Sequence, residues 1–159
     1  MNDCAKILTV IFLSLLFLSC DTNKVFEEYI AVDNNIWKKE DRADFVFEVV
    51  DTTSPHNIYI NIRNTGDYSF SNLYLFLTIK GPNGNYTIDT VNCQLADNRG
   101  KWLGSGVGDL WDLKIPYIGN FKFAQQGKYI VSYEQAMRVK NGLKGISDIG
   151  LRIERSKTN

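Results

Sequence analysis

The chain has 159 residues, with 18 Lys and Arg against 18 Asp and Glu, a formal net charge of +0 at pH 7. This balance, with no basic run longer than Lys38-Lys39, argues against nucleic acid as a main partner, because phosphate recognition needs clustered positive charge. Hydrophobic residues make up 44% and aromatic residues 13%, enough material for one core in a domain of this size.

At the N-terminus, Lys6 precedes an apolar run from Ile7 to Leu18, which ends abruptly on Ser19-Cys20-Asp21. The run is too short to cross a bilayer as a helix, which takes roughly 20 apolar residues. Its charge, length and small residue before the cysteine read as a signal peptide over residues 1–19. Cys20 is then the first mature residue and the expected site of lipidation, which would tether the domain to a membrane through acyl chains. Residues 20–43 read as a lipidated tether and lead-in, in which Trp37 stands alone before the lysine pair.

From residue 44 to 155 the pattern has period two. Phe45, Phe47 and Val49 alternate with Val46 and Glu48; Ile58, Ile60 and Ile62 alternate with Tyr59 and Asn61. Leu73, Leu75, Leu77 and Ile79 alternate with Tyr74, Phe76 and Thr78, and similar runs surround Val131 and Leu151. Alternation of this kind marks half-buried strands, and no amphipathic helix of three turns competes with it. Turn residues separate the runs, notably Asn64-Thr65-Gly66-Asp67 and Gly81-Pro82-Asn83-Gly84-Asn85, the latter a hairpin signal. The expected fold is all-β: an antiparallel β-sandwich, immunoglobulin-like or jelly-roll, of six to eight strands. Residues 156–159 read as a frayed tail.

Catalytic chemistry finds little support. Cys93 has no partner once Cys4 leaves with the signal and Cys20 takes lipid, so no disulfide framework or cysteine metal site is expected. Cys93 reads as a buried small hydrophobe and His56 as a solvated turn residue. Gly104-Ser105-Gly106 lacks the strand-to-helix context of a nucleophile elbow. Asp109 and Asp112 flank Leu110-Trp111 as a formal glycosidase-like pair, but loop carboxylates beside glycines are usually solvated. No catalytic residue, metal or cofactor is assigned, apart from the covalent lipid. The segment Trp102–Trp111 carries glycines at 104, 106 and 108, which suits a strand where another backbone or a ring packs closely. Trp102, Trp111 and Tyr117 form a candidate binding surface, for a protein partner or for stacked sugar rings.

Several segments in order resemble one family: Cys20-Asp-Thr-Asn-Lys-Val-Phe-Glu-Glu-Tyr29, Asp51-Thr-Thr-Ser-Pro-His-Asn-Ile-Tyr-Ile-Asn-Ile-Arg-Asn64, Trp102-Leu-Gly-Ser-Gly106, Gln135-Ala-Met-Arg138 and Gly145-Ile-Ser-Asp-Ile-Gly-Leu-Arg-Ile-Glu154. Together they resemble the gliding-motility lipoprotein H (GldH) family of Bacteroidetes. The resemblance implies a lipid-anchored cell-envelope protein, at the outer membrane, working with other gliding and type IX secretion envelope proteins. It carries over one residue role, lipidation of Cys20. Asp51-Thr52-Thr53 and Asp89-Thr90-Val91 resemble sites that such bacteria O-glycosylate, making Thr52 and Thr90 candidate acceptors. The expectation is a non-enzymatic assembly or stabilising component; the alternative is an envelope-anchored glycan-binding module.

Overall fold

Eleven strands follow one another in residues 22–157, the residues described by the computed structural model: β1 (Lys24–Ala31), β2 (Ile36–Trp37), β3 (Ala43–Val49), β4 (His56–Thr65), β5 (Asn72–Lys80), β6 (Tyr86–Gln94), β7 (Ser105–Val107), β8 (Leu110–Phe121), β9 (Gly127–Gln135), β10 (Leu143–Lys144) and β11 (Ile146–Arg155). The expected signal peptide and Cys20 lie outside the described residues. One three-residue 3-10 turn, Asp33–Asn35, is the single helical element among the described residues.

The strands form an antiparallel sandwich, as the alternation predicts. A five-stranded sheet runs β1-β11-β4-β8-β7, a four-stranded sheet runs β3-β9-β5-β6, and β10-β2 is a short pair at one end. The periodicity dictates what lies between the sheets. In β3 every odd residue from Ala43 to Val49 is buried and every even one exposed. Ile58, Ile60 and Ile62 of β4 and Ile149, Leu151 and Ile153 of β11 are at most 2% exposed. From the other sheet they meet Phe45, Leu73, Leu75, Leu77, Val131 and Tyr133. Burying these side chains is the dominant favourable term, since no disulfide is present among the described residues.

Two stretches depart from the sequence reading. Lys24–Ala31, placed in the lead-in, is a strand paired with β11 in register from Phe26↔Ile153 to Ala31↔Asp148. Its Phe26 ring packs 5.1 Å from Phe47, inside the sandwich. Trp37 is 1% exposed and donates its indole N–H to the Asp41 carbonyl at 2.6 Å. The charges around these residues hid a strand whose outer face is polar. The tail is tied down as far as Ser156, whose N–H donates to the Pro55 carbonyl at 2.8 Å.

His56 is a second correction. It opens β4 and is 2% exposed, not solvated. Its ring stands edge-on to Phe123 at 5.3 Å. Burial lowers its pKa below the ordinary histidine value; Asp51 nearby opposes the shift and Arg155 adds to it. Pro55 before it has no N–H to donate, and β4 begins at the residue after it.

The pairings define two ends. His56 of β4 pairs with Arg155 of β11 and Phe121 of β8, and Val49 of β3 pairs with Gly127 of β9. The chain enters β1 at this same end, where Lys24 pairs with Glu154. The β5–β6 hairpin lies here too, with Pro82 against Gly127. The opposite end carries Thr65, Leu110 and the loop around Trp102.

Candidate functional site

The outer faces of the two sheets differ in chemistry. On the five-stranded sheet, charges are spent on one another. Arg152 bonds Glu27 at 2.8 Å and Glu154 at 2.5 Å, and Lys114 bonds Glu154 at 2.9 Å. Burial raises the Glu27 carboxyl's pKa, but hydrogen bonds from Arg152 and Lys24 outweigh it and leave the pKa below its usual value. Arg63 bonds Asp112 at 2.8 Å while lying 4.0 Å over the Tyr29 ring. A closed network of this kind has few free groups to offer a ligand.

The four-stranded sheet presents the opposite. β5 reads Asn-Leu-Tyr-Leu-Phe-Leu-Thr-Ile-Lys, with Leu73, Leu75, Leu77 and Ile79 facing inward. Its outward residues Tyr74 and Phe76 are 42% and 43% exposed, and on β6 Tyr86 and Ile88 are 65% and 64% exposed. The register sets Thr90 opposite Phe76, Ile88 opposite Thr78 and Tyr86 opposite Lys80. Tyr74, Phe76, Ile88 and Tyr86 therefore run as one diagonal stripe across the pair, at the 7–8 Å diagonal spacing that long side chains bridge. Beside the stripe, β6 is an edge: it pairs with β5 alone among the described residues. Its sequence from Tyr86 to Gln94 holds no Lys, Arg or Pro, the residues that usually blunt an edge against added strands. This surface is absent from the sequence reading. The signal was present in β5, whose alternation places large apolar residues on both faces where a solvated sheet would carry polar ones.

The expected aromatic surface is divided. Trp102 and Trp111 do come together, with centroids 5.7 Å apart, and Tyr68 lies 6.3 Å from Trp102. Both tryptophans are partly buried; Phe70, Leu103, Val107 and Leu110 stand exposed beside them, Val107 to 89%. The glycine pattern is explained by close approach. A Cβ at Gly104 would lie 2.5 Å from the Asp112 carbonyl oxygen, and one at Gly106 would lie 2.8 Å from the Trp111 ring. Tyr117 is elsewhere. It sits six residues along β8, about 20 Å away at strand rise, and its hydroxyl donates to Asp89 of β6 at 3.3 Å. Burial and then the Asp89 charge push that phenol up to about 12.

The two carboxylates are engaged in different contacts. Asp109 accepts the Gly66 N–H at 3.2 Å in the β7–β8 turn, whereas Asp112 is bound to Arg63 and Tyr29 on the sheet face. Cys93 is fully buried, and burial pushes its thiol up to about 12. Among the described residues no group of three or more His, Cys, Asp and Glu could hold a metal ion. Of the candidate acceptors, Thr52 is partly buried in the β3–β4 loop and Thr90 is exposed in the middle of β6.

The family and sequence comparisons agree with one another. The family model described as GldH lipoprotein matches residues 24–153. The chain is 40% identical over 163 residues to the gliding motility lipoprotein GldH homolog of Christiangramia forsetii, covering 98% of this chain and 99% of that protein. It is 36% identical over 147 residues to the gliding motility lipoprotein GldH of Flavobacterium johnsoniae, covering 89% and 91%. A chain from the structure of infectious bursal disease virus Gx strain aligns at 15% identity and a TM-score of 0.27, over 88% of this chain and 34% of that one.

Proposed function

Because the chain belongs to the GldH lipoprotein family, we propose that it serves the gliding machinery as a non-enzymatic assembly component, anchored to the envelope through lipid on Cys20. The family match over residues 24–153 supports the setting. The open β6 edge with its apolar stripe carries the mechanism. A partner strand added there would gain main-chain hydrogen bonds from the edge and side-chain contacts from Tyr74, Phe76, Tyr86 and Ile88. Lipidation confines the domain to a membrane plane and raises its effective concentration for other envelope proteins. The outer membrane is the proposed location and type IX secretion components are the proposed partners. O-glycosylation is compatible with this reading at Thr52; at Thr90 a glycan would block the edge.

The test is complementation of a deletion strain with wild type, Cys20→Ala, and Ile88→Lys combined with Phe76→Lys, scoring gliding and type IX cargo release. Both substituted positions, one on the edge strand β6 and one on its neighbour β5, are exposed, so the folded domain should persist. Loss of function by the folded edge variant supports docking, and full function in that variant refutes it. Glycan binding is the second reading, favoured by the Trp102–Trp111 pair at the opposite end from the chain entry. Saturable tryptophan quenching by peptidoglycan fragments would support it.

A further inference from the structure

A cleft of about 560 Å³ opens between the β5–β6 hairpin and the β8–β9 connection. Its walls include Ile79, Tyr86, Tyr117, Ile118, Phe121 and Tyr129. Two of the tyrosine hydroxyls are already used: Tyr117 donates to Asp89 and Tyr129 donates to the Gln125 carbonyl at 3.1 Å. Asn83, Asn85, Thr87 and Gln125 also line the cleft, but most of its surface is ring and aliphatic carbon, which suits hydrocarbon better than sugar hydroxyls.

The position of the cleft says which hydrocarbon. It opens at the end of the sandwich where the chain enters β1 from residue 22, so a lipid on Cys20 would set this end against the membrane. Entry is along β1, however, separated from β8 by β11 and β4, about 14 Å at ordinary strand spacing. Lys122 forms part of the wall and is exposed. Among the described residues it has no ion-pair partner. A cation in the wall of an apolar cleft complements an anionic headgroup above an acyl chain.

We propose that this cleft takes up an acyl chain of an anionic phospholipid from the membrane to which the protein is anchored. Such a contact fixes the rotation of the domain on its tether, so that the β6 edge is presented in a defined direction along the membrane. The proposal rests on the anchored reading above.

The experiment is photo-crosslinking of the full-length protein in cells fed a diazirine fatty acid that enters their phospholipids, followed by peptide mass spectrometry. Phospholipid-mass adducts are expected on the peptides holding Tyr86–Thr87 and Tyr117–Phe121. Ala124→Trp, at an exposed lining position, and Lys122→Glu should each lower those adducts about tenfold at unchanged melting temperature. Three outcomes overturn the proposal: no adduct in the cleft while residues 22–25 are labelled, labelling in both variants equal to that of the wild type, or a cleft adduct that joins the protein's own Cys20 peptide. The mass of the Cys20 peptide reports independently on the anchor.

Discussion

The indole ring of Trp111 lies over Gly106, so close that a Cβ at that glycine would stand 2.8 Å from its Cδ1 and Nε1. The glycine on β7 thus makes room for the ring that packs, tilted, against Trp102 with centroids 5.7 Å apart. Gly106→Ala should displace the Trp111 ring at a cost of about 1–3 kcal/mol, visible as a changed near-ultraviolet circular dichroism signal. Gly104→Ala should cost more, because its clash is with the Asp112 carbonyl oxygen, and backbone yields less than a side chain. Equal melting temperatures for wild type and both variants would contradict this packing.

His56 gives the domain an acid-sensitive term. Its pKa is lowered by burial in the folded state, so the unfolded chain binds the proton more readily. The stabilisation is complete above the unfolded value near 6.5 and declines as pH falls below it. Asp51 and Arg155 face the ring, and burial of Asp51 is slight; hydrogen bonds from Ser54 and then Thr53 hold its carboxyl well below the usual range, so it stays charged through this window. Denaturant titrations at pH 7.5 and 5.5 should show lower stability at the lower pH, and His56→Gln should flatten the difference.

The thiol of Cys93 should be silent in the folded protein. It is fully buried and its pKa is raised to about 12, which leaves almost no thiolate to react. A thiol reagent should label Cys93 only after denaturation. Prompt labelling of the native protein would place the residue at an accessible position, against the packing seen here.

Asp112 separates a structural from a catalytic role. Its bonds to Arg63 and Tyr29 lie on a partly exposed sheet face, where such a pair contributes about 0.2–1 kcal/mol. Asp112→Asn should cost about that much in a double-mutant cycle with Arg63→Gln and leave gliding and secretion intact. Lost function in a fully folded Asp112→Asn protein would reopen the enzymatic reading.

The strands were legible where one face is apolar and the other polar, as in Phe45-Val46-Phe47-Glu48-Val49, because a side-chain period of two records which face is buried. β1 was not, since charged Glu27 and Glu28 sit between Phe26 and Tyr29 and mask its inner residues. Its strand character depends on β11, which lies more than a hundred residues later. His56 was misread, and Trp37 left without a place in the core, for a related reason. Burial of a single residue in a polar neighbourhood is decided by what packs against it, here Phe123 for the histidine and the β2–β10 pair for the tryptophan.

By itself, the sequence determined the all-β class, the β5–β6 hairpin, the burial of Cys93 and the family, since these follow from local alternation, turn residues and linear motifs. The tertiary structure decided which strand became the open edge, which pairs of distant aromatics met and which stayed about 20 Å apart, and which end of the sandwich carries both the chain entry and the apolar cleft. Those properties depend on strand order, and strand order is set by the joint burial of two sheet faces drawn from the whole chain. No local pattern encodes that sum.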